Sequence, residues 1–224
     1  MVFCLMALCG CKTGVHSSSS QMDLRVVFAQ LPDSMRENPF GDKQGLKLTD
    51  VEMGELSEKG EVALGDTRWQ SQYLDSSGRH LQVMRIGQEE GLQYDLLSLP
   101  VKGQRPWVLV VQSLSDHCCN FMRWGLYKVE KKQWTDLTAS RMPVLDWGDW
   151  FDLSGFKAGR PDVMRVNRYP LQVTVESRPL RIALMPVADY VELEMPEGVA
   201  NEMMEDWPGG PRVLVWQDGR FVWD

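Results

Sequence analysis

The chain has 224 residues, 43% of them apolar and nine of them Trp, with 24 Lys and Arg against 31 Asp and Glu for a net charge of −7. That apolar content excludes a disordered chain, and behind a short leader roughly 200 residues remain, enough for one large domain or two smaller ones. The basic residues form no run, the nearest being Lys128 with Lys131-Lys132, so the charge pattern argues against a nucleic-acid partner and against electrostatic attachment to anionic lipid.

The chain begins with an apolar stretch that no Lys or Arg precedes until Lys12, and that ends in Leu8-Cys9-Gly10-Cys11. It is too short to span a bilayer, which takes about 20 residues, and is the size of a signal-peptide core. The ending resembles the lipobox of bacterial lipoproteins, in which a small residue precedes the cysteine that is acylated and becomes the new N-terminus. The resemblance implies a signal peptide over residues 1–10, lipidation of Cys11 and a flexible Gly/Ser/Thr tether over 11–21. It places the protein in the cell envelope, held by acyl chains. By analogy with the enterobacterial sorting rule, Lys12 after the acylated cysteine points to the outer membrane, facing the periplasm. The alternatives are a start codon further upstream, or Cys4, Cys9 and Cys11 as ordinary cysteines of a buried N-terminal strand. If the leader is removed, Cys118 and Cys119 are the cysteines left, too few for a disulfide scaffold.

Residues 21–35 predict a short helix, with Leu24, Val27, Phe28 and Leu31 at helical spacing and Pro32 limiting its length. A loop rich in Pro, Gly and Asp follows. From residue 45 to 138 the dominant pattern is strand, beginning with the alternation Leu46-Lys-Leu-Thr. Trp69-Gln-Ser-Gln-Tyr-Leu and Leu81-Gln-Val-Met-Arg-Ile flank Asp75-Ser-Ser-Gly-Arg, a hairpin signal. Residues 92–99 form a strand closed by Pro100, and Trp107-Val-Leu-Val-Val-Gln, apolar on both faces, reads as a central strand. A second hairpin turns at Glu130-Lys-Lys. Residues 146–153 read as a helical turn or loop. Strands follow at Leu171-Gln-Val-Thr-Val, Leu180-Arg-Ile-Ala-Leu and Tyr190-Val-Glu-Leu-Glu, and Gln217-Asp218-Gly219-Arg220 places Asp-Gly at the centre of a primed turn.

The expected fold class is α+β: a predominantly antiparallel sheet with a short N-terminal helix. Residues 22–140 would form a helix plus antiparallel β unit and 141–224 a second β-rich unit, or the two would be one continuous domain. The hairpins around Lys131 and Asp218 echo each other, which fits two similar halves; ordinary hairpins of one meander explain the echo as well.

Leu24-Arg-Val-Val-Phe-Ala-Gln-Leu-Pro-Asp-Ser-Met, with the strands around Tyr127 and Trp134, also resembles an uncharacterised family of exported proteins of Bacteroides-like bacteria. Its members carry a Met-Pro-Asp-Ser type of helix end and a strand-rich body with a strand–Trp–Lys–Pro-Leu hairpin. Here Leu31 replaces the Met, and Trp134-Thr-Asp-Leu stands where that hairpin ends. The resemblance covers about two thirds of the chain by short motifs. It implies secretion and a mixed α/β body, with no catalytic residue to carry over.

Two constellations could carry chemistry. Asp116-His117-Cys118-Cys119 is the densest set of ligand types, and thiolate with imidazole suits Zn or Cu. Adjacent cysteines rarely reach one ion without backbone strain, so His117, Cys118 and Cys119 are weak metal candidates beside unremarkable thiols or a vicinal disulfide. In Asp146-Trp-Gly-Asp-Trp-Phe-Asp, residues Asp146, Trp147, Asp149, Trp150 and Asp152 interleave acceptors for sugar hydroxyls with flat apolar faces for sugar rings, and paired acids can run glycoside hydrolysis. The plainer reading is a loop whose tryptophans plug the edge of a sheet. No nucleophile elbow, zinc helix, P-loop or dinucleotide motif occurs, and no cofactor is implied. General-base chemistry near neutral pH would rest on His80, expected in a solvent-facing turn, on His117 or on a tuned carboxylate. The Met203-Met204 to Trp207 run reads as core, or as an adaptable surface for a partner. The expected role is therefore a lipid-anchored, non-catalytic binding or support module contacting envelope proteins or glycans, with a carbohydrate-binding or carbohydrate-active protein as the alternative.

Overall fold

The computed structural model describes residues 22–36, 48–86, 91–116, 119–145, 149–150, 171–177, 180–186 and 210–224. Among the described residues, eleven strands form two antiparallel sheets, and the helices are few and short. The single helix expected over 21–35 is two short ones, α1 (Leu24–Phe28) and α2 (Asp33–Arg36), because Pro32 interrupts the backbone ladder between them. The longest helix, α3 (Asp50–Lys59), lies further along, in a stretch expected to be strand-dominated. Local chemistry explains it. Thr49 and Glu52 form a reciprocal capping box, with the Thr49 N–H donating to Glu52 Oε2 at 2.7 Å and the Glu52 N–H to Thr49 Oγ1 at 3.3 Å. Gly60 ends the helix at φ +81°, where a side chain would be strained.

The first sheet is a seven-stranded meander in sequence order: β1 (Glu61–Leu64), β2 (Thr67–Tyr73), β3 (His80–Ile86), β4 (Gly91–Leu99), β5 (Trp107–Asp116), β6 (Cys119–Glu130) and β7 (Gln133–Asp136). The short helix α4 (Thr138–Arg141) follows. The second sheet has four strands, β8 (Leu171–Ser177), β9 (Leu180–Pro186), β10 (Arg212–Gln217) and β11 (Arg220–Trp223), in the order β11-β10-β9-β8. The two hairpins that echo each other, β6–β7 and β10–β11, each form one end of their sheet. The strand read at 190–194 and the Met-rich run at 203–207 lie outside the described residues.

The alternation along the strands divides the core in two. Val83, Tyr94, Val108 and Val110 face the helices and pack with Leu24, Phe28, Met53 and Leu56. Leu97, Leu109, Val111, Trp124 and Leu126 face the other way and pack with Leu171, Ile182, Leu184, Leu214 and Phe221 of the second sheet. The molecule is thus three layers: helices, long sheet, short sheet. β5 is buried on both faces, which is why it reads as continuously apolar. Met142, Leu145 and Trp150 join the inter-sheet core, so the two expected units share it.

A polar row crosses the helix-covered face. Tyr94, Gln112 and Arg123 lie directly opposite one another on β4, β5 and β6. Gln112 Nε2 donates to the Tyr94 hydroxyl at 2.9 Å, and Arg123 Nε donates to Gln112 Oε1. Burial pushes the Tyr94 phenol well above its ordinary pKa, against the lowering field of Arg123, Arg85 and Arg36. Along β6, Gly125 leaves space for the Tyr127 ring, which any Cβ at position 125 would strike.

Candidate functional site

Six of the site residues expected from sequence lie outside the described residues: Cys11, His117, Cys118, Asp146, Trp147 and Asp152. Of Cys119 only the backbone is described, paired opposite Asp116 at the end of β5 and the start of β6. Among the described residues no three His, Cys, Asp or Glu side chains converge as a metal site would require, and no helix is long and apolar enough to cross a membrane. Trp150 is seated in the inter-sheet core at 6% exposure. Its indole N–H donates to the Leu184 carbonyl at 3.2 Å, and its ring meets Trp223 edge-on at 5.9 Å. At that burial the ring has no free face for a sugar.

His80 differs from its expected solvent-facing place: it opens β3 at 2% exposure. Its Nε2 lies 2.7 Å from Oδ1 of Asp95, itself 3% exposed. Gln93 Nε2 donates to the second carboxyl oxygen at 2.5 Å, and Gln82 adds a longer contact of 3.4 Å to the first. Asp75 holds the preceding turn by accepting from the backbone N–H groups of Arg79 and His80 at 2.8 and 3.1 Å. The pair has the residue types of acid–base catalysis, but it is closed off, with its carboxylate engaged by neighbouring side chains. A general base has to reach its substrate, and this one is a fastener between β3 and β4.

An accessible arrangement lies where the two sheets meet at one end. The loop after β4, the start of β5, the end of α4 and the β10–β11 turn enclose a cleft of about 440 Å³. Each wall has a local cause. Pro100 closes β4, and a turn with Gly103 at φ +72° is tied by the Gln104 N–H to the Val101 carbonyl at 3.2 Å. Asp218 and Gly219 both have positive φ, at 50° and 81°, and make the primed turn of the last hairpin. α4 is pinned by Thr138, whose N–H donates to Asp136 Oδ1 at 2.8 Å while its hydroxyl accepts from the Leu126 N–H at 3.0 Å.

Two tryptophans line this cleft. Trp107 and Trp216 meet edge-on with centroids 6.0 Å apart. The Trp216 N–H donates to the Pro100 carbonyl at 3.0 Å, which fastens the short sheet to the end of β4. The Trp107 N–H is buried without an acceptor. The Arg141 guanidinium lies over the Trp107 ring at 5.6 Å, a cation–π contact that orients it. Lys102, Gln104 and Asp218 complete the polar lining. Among the described residues, none of these three exposed side chains, nor Arg141 beyond its contact with Trp107, has a hydrogen-bond or ion-pair partner. Sequence reasoning placed Trp107 and Trp216 on strands but did not join them. They come from opposite halves of the chain, and no spacing rule links them.

A second, smaller pocket of about 240 Å³ lies beside α1, lined by Met22, Val26, Val27, Pro106 and Val129 with Asp23 and Arg105. It is mostly apolar and starts where the described chain begins.

The chain matches no protein-family model and no curated protein. Its fold is similar to the structure of a domain of an uncharacterized protein from Porphyromonas gingivalis W83. The two are 19% identical, the match covers 90% of this chain and 98% of that one, and the TM-score is 0.53. The likeness is therefore to a Bacteroidetes protein domain, at the level of fold.

Proposed function

We propose that this protein is a lipid-anchored component of the cell envelope that acts as a non-catalytic binding module. Acylation at Cys11 holds it at the membrane, residues 11–21 act as a tether, and the helix-and-sheet body faces the periplasm from the outer membrane. Two or three acyl chains make stable anchoring, at about 0.8 kcal/mol per buried CH₂. The observation that supports a binding role is the cleft: exposed polar side chains surround a tryptophan pair on a two-sheet frame, as binding loops on a scaffold do. His80, the one histidine among the described residues, is sealed away from that cleft with Asp95, which speaks against acid–base catalysis there. The carbohydrate reading is favoured by the same tryptophan pair, in a different place from the 146–152 segment.

The test is the intact mass and membrane partitioning of the protein from its native host, beside a Cys11→Ser variant. Loss of residues 1–10 with a gain of acyl mass, abolished in the variant, is the expected result. A full-length, unacylated protein in the soluble fraction would overturn the anchoring.

A further inference from the structure

We propose that the cleft between the β4–β5 loop and the β10–β11 turn binds an acidic saccharide, one bearing a carboxylate on its ring; this rests on the binding role proposed above and names its ligand class. Small-molecule sites are mostly apolar with a few placed polar groups, in volumes of about 300–1,000 Å³. This cleft has the size, at about 440 Å³, but Lys102, Gln104, Arg141 and Asp218 give it an unusually polar lining. Its occupant must bring hydroxyls and charge to match.

The sign of the charge follows from the lining. Two cations, Lys102 and Arg141, stand against one carboxylate, Asp218, a local positive excess on a chain of net charge −7. That selects an anion, because like charge would be repelled by Arg141 and Lys102. A planar guanidinium fits a carboxylate with two parallel hydrogen bonds, and Arg141 is already oriented by the Trp107 ring. Asp218 and the Gln104 amide supply acceptors and donors for hydroxyls. Trp216, half-buried, packed at 5.0 Å against Phe221 and fixed through its N–H to Pro100, lines the cleft with the apolar ring surface that the C–H face of a pyranose needs. A simple anion would use the cations but not the tryptophan, and a neutral sugar would leave the cations unused. An acidic sugar uses both. Because Arg141, Trp216 and the Asp218–Gly219 turn are held before a ligand arrives, little ordering cost remains on binding.

The test is ligand-observed NMR on the full chain with trigalacturonate and sialyllactose as acidic probes. Maltotriose is the neutral control and tricarballylate the carboxylate without a sugar ring. At least one acidic saccharide should bind while both controls do not. The double variant Lys102→Gln/Arg141→Gln, altered only at exposed side chains and checked for native circular dichroism, should weaken binding about tenfold or more. Trp216→Phe should weaken it with the fold retained. Failure of both acidic probes, equal binding of either control, or binding indifferent to the double variant would overturn the proposal. Cleavage of a bound probe would instead overturn the non-catalytic reading and leave the ligand class standing, and the anchoring is decided separately by mass.

Discussion

The buried His80–Asp95 pair and the Trp107–Trp216 cleft belong to the same sheet-to-sheet side of the molecule, yet one is closed and the other open. His80 lies opposite Leu97 on β4, and Asp95 opposite Val111 on β5, residues of the core that the short sheet covers. The pair has the chemistry of a catalytic site without the access. The cleft has access and solvent-exposed polar groups without an acid–base pair. Residue type alone would have ranked them the other way round. What separates them is where their polar atoms face: Asp95 is buried and accepts from neighbouring side chains, whereas Lys102, Gln104 and Asp218 in the cleft face solvent.

The largest expected effect comes from breaking the closed member. Asp95→Ala leaves His80, Gln82 and Gln93 without their common acceptor in a buried site. Leaving a buried donor without its acceptor costs about 1–3 kcal/mol. Urea denaturation of the variant should show that loss, and whatever remains folded should bind cleft ligands with unchanged affinity. A loss under about 1 kcal/mol, the range of an exposed pair, would mean that the pair is not the fastener described here.

The features legible in the sequence were those written within a few residues. The hairpins at Asp75-Ser-Ser-Gly-Arg and Gln217-Asp-Gly-Arg and the central strand from Trp107 were read from alternation and turn chemistry, and they stand where expected. α3 was also legible, since Thr49-x-x-Glu52 followed by Gly60 is a capping box with a helix stop. It was obscured by weak amphipathicity, with only Met53 and Leu56 buried, and by the alternation just before it. His80 was misplaced because a turn rich in Ser, Gly and Arg signals solvent, and nothing local shows that Asp95 waits on the next strand. The cleft was not legible at all: its residues come from both sheets and from α4, and only the fold brings them together.

The helix-covered face gives a second contrast, read through pH. Tyr94 and Tyr127 both lie on it. Burial, and then the charge of Asp136, raises the Tyr127 phenol to about 12, and burial raises Tyr94 as well. A phenol is neutral while protonated, so the folded state holds these protons more tightly than the unfolded chain, where the pKa is about 10. The stability they contribute is complete below about pH 10 and is lost as the pH rises toward 12. Denaturation between pH 8 and 12 should show an alkaline loss, about 2 kcal/mol of it from Tyr127, that Tyr127→Phe and Tyr94→Phe each reduce. Neither substitution should change cleft binding at neutral pH, because both rings lie across the sheet from it. A flat profile in the wild type would mean that water reaches these hydroxyls.

The smallest effect compares the two terminal hairpins. Both close with two residues of positive φ: Asp218 and Gly219 at 50° and 81° in one, Lys131 and Lys132 at 47° and 72° in the other. The first pair is the chemistry such a turn prefers, whereas lysine has no local compensation for the left-handed conformation. The long sheet thus ends in a strained turn that its surroundings impose. Val129 pairs with Trp134 just before it, and Trp134 meets Tyr127 edge-on at 5.2 Å, which fixes the register of the last strand. Lys131→Asn with Lys132→Gly should keep that register and raise stability by about 1 kcal/mol, read as a shift of the denaturation midpoint at constant slope. Both lysines are exposed and neither lines the cleft, so acidic-saccharide binding should not follow the change. If stability falls instead, the lysines make favourable contacts that outweigh their backbone strain. The Asp218–Gly219 turn would then be the only one of the two hairpins set by turn chemistry.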